Sequence, residues 1–362
     1  MAILDFLKPL KPLLSFQSAI GVDIGTTSIK LVELAIVADR PNFKNYGLLE
    51  TYSHLSRQNS AIQTSSLKMD DKEAANMLQT LVRQVKPGAA AVFASLPPFS
   101  AFTTLLELPL MPKNEMDQIM SYQARALVPA AIASVATEWS VVGEFEDEKG
   151  QRKQQVFLSA MPNNIVEKYK SIFQAAGLNL RVIEIEGMSL ARVFTKGDEE
   201  LSLILDIGGR STGLYVARNG YLLSSAYLDY AGGSMSQAVS NGLNINVRRA
   251  EELKKRRGLL GMGGEYELST LMLPYVDVIL NEVRRVKDNF EKNYRGQIGK
   301  LILSGGGGEL AGLDKYAADF LQMKVERPSP FSALSYPPAL QPVVNELGGT
   351  LAVAIGLGLR QF

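Results

Sequence analysis

Twice along this chain an apolar run ends in Asp-Ile-Gly, passes through a short polar turn and returns as a second apolar run. The first copy spans Ala19 to Leu34 and carries Asp23-Ile24-Gly25-Thr26-Thr27-Ser28-Ile29-Lys30. The second spans Leu201 to Val216 and carries Asp206-Ile207-Gly208-Gly209-Arg210-Ser211-Thr212. Each reads as a β-hairpin whose glycine permits a tight tip. Amides and hydroxyls of Gly25, Thr26, Thr27 and Ser28, and of Gly208, Gly209, Arg210 and Ser211, can converge on an anion. Asp23 and Asp206 stand too near such an anion to be left without a cation, so the pattern predicts Mg²⁺ held through its waters. One such turn is commonplace. Two, far apart, predict related half-molecules that face each other and hold nucleotide phosphates between their tips.

Composition narrows the alternatives. The formal net charge of +1 gives no dominant basic face for a nucleic acid. With no cysteine, disulfides and thiolate metal sites are excluded, and the lone histidine, His54, lies in a polar stretch unsuited to zinc or histidine catalysis. At 362 residues two or three domains are expected. No apolar run approaches the roughly 18 residues of a membrane span. Residues 1–18 read as an extension broken by Pro9 and Pro12, whose Phe6, Leu7, Lys8 and Lys11 could touch a membrane surface.

Between and after the hairpins, periodicity predicts a strand over 46–52, a polar loop over Leu55 to Lys68, a helix from Asp70 to Val85 and a buried strand from Ala89 to Leu96. Pro97-Pro98 then opens a compact unit: strand Phe102 to Leu108, helix Asn114 to Leu127, strands Glu138 to Phe145 and Gln154 to Met161. Asn163-Asn164 is expected to cap a helix running to Ala176, with a strand over Arg181 to Glu186 after it. In the second half, a strand over 220–227 and a helix over Ser234 to Asn241 opened by Gly232 and Gly233 lead to a basic helix, Val247 to Arg257. A glycine-rich break, Gly258 to Gly264, precedes a long helix over Tyr266 to Asn293 that contains Pro274. The strand Lys300 to Ser304 runs into Gly305-Gly306-Gly307-Gly308; a strand-to-helix turn needs one or two glycines, so four suggest bare backbone against a flat ligand. Phe320 to Pro342 reads as irregular, and Gly348 to Leu359 as a tightly packing helix too short to span a bilayer.

The ordered set of hairpin, connecting helix, hairpin, glycine turn and final helix resembles the actin, Hsp70 and sugar-kinase superfamily of ATPases over essentially the whole chain. Ala250-Glu251-Glu252-Leu253-Lys254 resembles the bacterial-actin helix whose Glu and Lys reach the ribose, and that spacing puts Glu251 and Lys254 on one face. Lys30 matches a phosphate-contacting lysine. The inserted strand-helix-strand-strand unit resembles FtsA and, more closely, the PilM family of type IV pilus assembly. Ser121-Tyr122-Gln123-Ala124-Arg125-Ala126-Leu127-Val128-Pro129 followed by Glu138-Trp139 is similar to PilM's helix and acid-Trp strand, although Val128-Pro129-Ala130-Ala131 departs from the family's bulkier, more acidic continuation. The chain also ends at Phe362 without FtsA's membrane helix.

That resemblance implies an α/β, actin-like ATPase fold: two lobes of ribonuclease-H-like mixed sheets flanked by helices, with an SHS2-type subdomain inserted in the first. The implied division is 1–18 as extension; 19–96, 163–200 and 343–362 as first lobe; 97–162 as insertion; 201–246 and 297–342 as second lobe; and 247–296 as helical subdomain. It implies ATP or ADP with Mg²⁺, adenine and α-phosphate against Gly305 to Gly308, ribose on Glu251 and Lys254, and at most slow hydrolysis with Glu186, or else Glu184, orienting water. It places the protein in the cytoplasm, peripheral to the inner membrane, recruiting the N-terminal tail of a PilN-like membrane protein. Other platform proteins, pilus motor ATPases and a second copy of the chain are further partners it admits. An FtsA-like filament and a superfamily sugar kinase are the alternatives.

Overall fold

The computed structural model describes residues 17–25, 27–38, 40–50, 71–89, 91–129, 131–260 and 266–361. The expectations for Thr26, for the extension up to residue 16, for His54 and the loop Leu55 to Lys68, for Ala130 and for Gly261 to Gly264 lie outside them.

The first hairpin is β1 (Ser18–Ile24) and β2 (Ser28–Val37), extended by β3 (Arg40–Glu50). Helix α1 (Asp71–Val85) follows, then β4 (Ala91–Leu96). The inserted unit comprises β5 (Phe102–Pro109), α2 (Lys113–Leu127), β6 (Val135–Glu146) and β7 (Arg152–Pro162). The chain returns through α3 (Asn163–Ala175), β8 (Leu180–Ile185) and α4 (Glu186–Thr195). The second half runs β9 (Ser202–Ile207), β10 (Thr212–Arg218), β11 (Tyr221–Leu228), α5 (Gly232–Leu243), α6 (Val247–Arg257) and α7 (Tyr266–Asn293). It closes with β12 (Lys300–Ser304), α8 (Gly305–Gly308), α9 (Leu313–Leu321), β13 (Lys324–Glu326) and α10 (Gln341–Gly358).

Two sheets share one plan. The first has order β3-β2-β1-β4-β8 and the second β11-β10-β9-β12-β13, each an antiparallel trio joined to two parallel strands. The hairpin registers coincide: Asp23 opposes Lys30 and Ile24 opposes Ile29, while Asp206 opposes Gly213 and Ile207 opposes Thr212. The duplication seen in the sequence is therefore a duplication in space. It is an actin-like fold, with α4 and α10 packed together between the halves.

Several local expectations need correcting. Pro162, not an asparagine, precedes α3; Asn163 instead donates to the carbonyl of Ala133 at 3.2 Å. The stretch after Phe320 contains β13, a three-residue strand that forms because Lys300 to Ile302 offer a free parallel edge. The C-terminal helix is also longer than expected. With its flanking turns it spans Pro338–Gln361, long and apolar enough by composition to cross a bilayer, yet Leu351, Ala352, Ala354, Ile355 and Leu357 are fully buried in the core. It is a core helix in this fold.

Glycine sets how close that helix comes. A Cβ on Gly21 of β1 would sit 2.0 Å from the carbonyl oxygen of Ala354, and one on Gly356 would sit 2.2 Å from that of Ser189. Both obstacles are backbone and cannot swing aside. Gly21→Ala is expected to destabilise the fold by about 3 kcal/mol, the upper end of ordinary overpacking, read as a lowered urea midpoint. An unchanged midpoint would show that α10 can retreat.

The inserted sheet has order β5-β7-β6. Along β7 the side chains alternate in the period of a strand. Val156, Leu158 and Ala160 face Met116, Met120 and Ala124 of α2, whereas Phe157 joins Leu105 and Val142 in a different cluster.

Candidate functional site

The two tips close in the same way. The amide of Gly25 donates to the Ser28 carbonyl at 2.9 Å, and the amide of Gly208 donates to the Ser211 carbonyl at 3.0 Å. They meet one another: a Cβ on Gly209 would lie 2.4 Å from Thr27 Cγ2. Around that meeting point is a cavity of about 60 Å³ lined by both aspartates, by Gly25, Thr27, Lys30, Glu186, Gly208, Gly209 and Ser211, and by Pro97-Pro98-Phe99. Ser28 and Arg210 are buried beside the tips rather than lining it.

Charge is concentrated here. Lys30 Nζ donates to Asp23 Oδ2 at 2.8 Å, and Ser95 Oγ donates to Asp23 Oδ1 at 2.9 Å. Burial opposes the charge on Lys30, but Asp23, Asp206 and Glu186 hold its pKa above the ordinary lysine value. Burial first, and then Asp23 and Asp206, push the Glu186 carboxyl up to about 8. Burial likewise raises Asp206 to about 6, Ser304 and Lys30 pulling the other way. Three acids crowded around one lysine disfavour full ionisation, and a divalent cation would relieve them. Among the described residues no group of three acidic, cysteine or histidine side chains could chelate a metal directly.

Three residues that carry no motif also belong to the site. Ser95, on the strand parallel to β1, stands beside Asp23 as Ser304, on the strand parallel to β9, stands beside Asp206. Spacing alone does not reveal the pair, since Ser95 lies 72 residues after Asp23 and Ser304 lies 98 after Asp206; the parallel strands bring them to equivalent places. Tyr215, fully buried, donates its hydroxyl to Glu186 Oε2 at 3.3 Å. It has room because Gly213, which occupies the hairpin position of Lys30, and Gly187 lack side chains; a Cβ on either would lie 2.3 Å from the phenol.

Other candidates lie elsewhere. Glu184 does not face the cavity: it is bound by Arg192, Arg360 and Ser189, so it orients no water there. Lys254 is buried and donates to the Gly232 carbonyl at 2.8 Å and to Glu251 at 2.7 Å, while Ser236 also donates to Glu251. The pair therefore fastens α6 to the start of α5. The amides of Gly232 and Gly233 in turn donate to the carbonyls of Gly208 and Gly209, which steadies the second tip.

The four glycines form the single turn α8. Gly305 has φ +76° and a Cβ there would strike the Ile207 carbonyl at 2.5 Å; one on Gly307 would strike Ile207 Cγ2 at 2.4 Å. A Cβ on Gly306 would meet nothing nearer than Thr350 Oγ1 at 3.6 Å. Packing thus accounts for two of the four glycines and leaves exposed Gly306 as the backbone a ligand could approach. Gly307→Ala is expected to cost about 1–3 kcal/mol in urea unfolding. Gly306→Ala should leave the midpoint in place and weaken nucleotide binding. Equal midpoints for both variants would refute the distinction.

Solved structures of similar fold include the PilM–PilN type IV pilus biogenesis complex, with a TM-score of 0.79 and 22% identity over 96% of this chain and 99% of that one. The ethanolamine utilization protein EutJ from Carboxydothermus hydrogenoformans gives a TM-score of 0.53 at 18% identity, covering 99% of this chain and 93% of that one. MreB5 of Spiroplasma citri bound to AMPPNP gives 0.53 at 14% identity, covering 94% of both. At these identities the likeness shows the fold. Among curated relatives, cell division protein FtsA of Enterococcus faecalis (strain ATCC 700802 / V583) is 22% identical over 356 residues, 85% of this chain and 77% of that protein. FtsA of Bacillus subtilis (strain 168) is 23% identical over 178 residues, 43% of this chain, and the match spans only 40% of that relative's length. The model of the type IV pilus assembly protein PilM matches residues 21–362, from inside the first hairpin strand to the end of the chain. By that match the chain belongs to the PilM family of type IV pilus assembly proteins.

Proposed function

We propose that this pilus assembly protein is a cytoplasmic nucleotide-dependent clamp of the inner-membrane platform, recruiting the N-terminal tail of a PilN-like membrane protein. The observation that carries the reading is the pair of hairpins of equal register whose aspartates line one cavity. Phosphates of ATP or ADP would lie on the amides of Gly25 to Thr27 and of Gly208 to Ser211, with Lys30 adding charge. Asp23 and Asp206 would hold hydrated Mg²⁺. Gly305 to Gly308 would face adenine and the α-phosphate, and Glu251 with Lys254 would take the ribose by exchanging their present bonds to α5. Glu186 would orient water for at most slow hydrolysis, steadied by Tyr215. The division into lobes, insertion and helical subdomain set out from the sequence belongs to this proposal.

A cavity of about 60 Å³ is well below the roughly 300–1,000 Å³ of ligand pockets. Nucleotide entry would therefore separate Gly209 from Thr27 and change the angle between the lobes, the bistable element a clamp needs. Support also comes from the neighbours: MreB5 was solved with AMPPNP, and PilM with PilN. The test is binding of a synthetic PilN-like tail peptide to the full chain with and without Mg-ATP. An affinity that shifts with nucleotide supports the clamp; nucleotide that fails to bind, or peptide binding indifferent to it, removes it. Nucleotide-dependent pelleting would instead favour the filament reading that the FtsA relatives raise.

A further inference from the structure

The inserted sheet is attached to one lobe and packed on the other. Its chain enters from β4 through Pro97-Pro98-Phe99 and leaves into α3 through Pro162, and at this root Ala101, Ala136 and Met161 join the core beneath α1 and α3. The face turned away from α2 lies against β11 of the second lobe, and its Leu105, Val142 and Phe157 join a core cluster that holds Leu222, Leu223 and Phe290 together with Ala19 and Phe93 of the first sheet. Polar contacts rim it. The Tyr294 hydroxyl donates to the Leu105 carbonyl at 3.1 Å, and Arg218 donates to Gln155 Oε1 at 3.3 Å. Arg295 donates to the Glu146 carbonyl at 3.0 Å, with its guanidinium carbon 5.3 Å from the centre of the Phe145 ring. Strand β6 is built to receive Arg218: its register shifts between Val141 and Gly143, and a Cβ at Gly143 would lie 3.0 Å from the guanidinium. At the entry itself, Phe99 of the cavity wall meets Tyr227 of β11 edge-on, ring centres 5.6 Å apart.

Direct contacts across the hairpin gap are thinner. They include Thr27 against Gly209 and the 3.9 Å pair of Lys255 with Glu50, whose side chains are 55% and 38% exposed. An exposed ion pair holds little, whereas separating the inserted sheet from the second lobe would return three buried apolar side chains to water. Parting the tips while the root at Ala101, Ala136 and Met161 serves as the pivot therefore costs less than lifting the sheet off β11.

We infer that the inserted unit moves as one body with the second lobe, turning on Pro97 to Phe99 and on Pro162. Because Pro97-Pro98-Phe99 also lines the cavity, whatever parts the hairpins shifts the inserted unit against the first lobe. This rests on the proposed nucleotide clamp and names its linkage.

The chain has no cysteine, so spin labels can be placed in pairs without removing native thiols. Exposed positions are Gln84 on the first lobe, Tyr122 on the inserted unit and Lys315 on the second lobe. Pulsed electron resonance on Gln84→Cys, Tyr122→Cys and Lys315→Cys pairs should show Mg-ATP shifting 84–122 and 84–315 together, with 122–315 unmoved. A shift in 122–315 at constant 84–122, or no shift in any pair while fluorescent nucleotide binds, overturns the inference. Should nucleotide not bind, the clamp reading falls, and distribution widths still decide the linkage: 122–315 must be narrower than the other two. Arg218→Ala combined with Tyr294→Phe should broaden 122–315, and an unaltered width counts against the linkage.

Discussion

Replacing Glu184 with alanine is expected to destabilise the protein by about 3–5 kcal/mol, the usual cost of removing one partner from a buried ion cluster. Glu184 is 2% exposed at the end of β8. Arg192 of α4 grips it through bonds of 2.8 and 3.0 Å, Ser189 donates at 2.7 Å, and Arg360 reaches it from the turn after α10. Arg192 also donates to the Gly356 carbonyl at 2.6 Å. One carboxylate thus joins the edge of the first sheet to both α4 and α10. Burial alone would raise its pKa, but the two arginines prevail and hold it at about 2, down from 4.5. A folded value below the unfolded one stabilises above the unfolded pKa, and the contribution is lost as pH falls from about 4.5 toward 2. At about 1.4 kcal/mol per unit this comes to roughly 3 kcal/mol. The urea-derived gap between wild type and Glu184→Ala should be full at pH 7 and shrink below pH 4.5. A gap that is small at neutral pH, or constant to pH 2, would mean the cluster adds little.

Lys30→Met should lower affinity for Mg-nucleotide about 10- to 150-fold, the equivalent of one charged hydrogen bond of roughly 1.5–3 kcal/mol. It should also make stability depend on pH in a defined direction. Lys30 already counters Asp23, Asp206 and Glu186, and the latter two have pKa values raised to about 6 and about 8. Without the ammonium they rise further. A carboxyl with a folded value above its unfolded one favours the folded state at low pH and penalises it as pH climbs through the folded value. The variant should therefore lose more stability at pH 8 than at pH 5, and Mg²⁺ should restore part of the loss. Thermal melts over that range with and without Mg²⁺, beside a nucleotide titration, check both effects. Wild-type affinity together with a pH-independent melt would show that Lys30 is an ordinary edge charge.

The sequence by itself determined what depends on neighbours along the chain. The Asp-Ile-Gly turns, the apolar runs that flank them and the helix from Val247 to Arg257 were legible because turn chemistry and periodicity act within a few residues. The repeat also foretold that Asp23 and Asp206 share a cavity, since equal hairpins on equal sheets place equal residues together. It misjudged what distance decides. A three-residue strand, Lys324–Glu326, exists only because β12 offers an edge, and Glu184 is a structural anion because Arg360, 176 residues away, packs beside it. Only the tertiary structure revealed that Gly213 and Gly187 make room for Tyr215 to reach Glu186, that two of four glycines serve packing, and that the three-stranded sheet lies against β11. Backbone turns are encoded locally; which buried faces and charges meet is settled by how whole sheets pack.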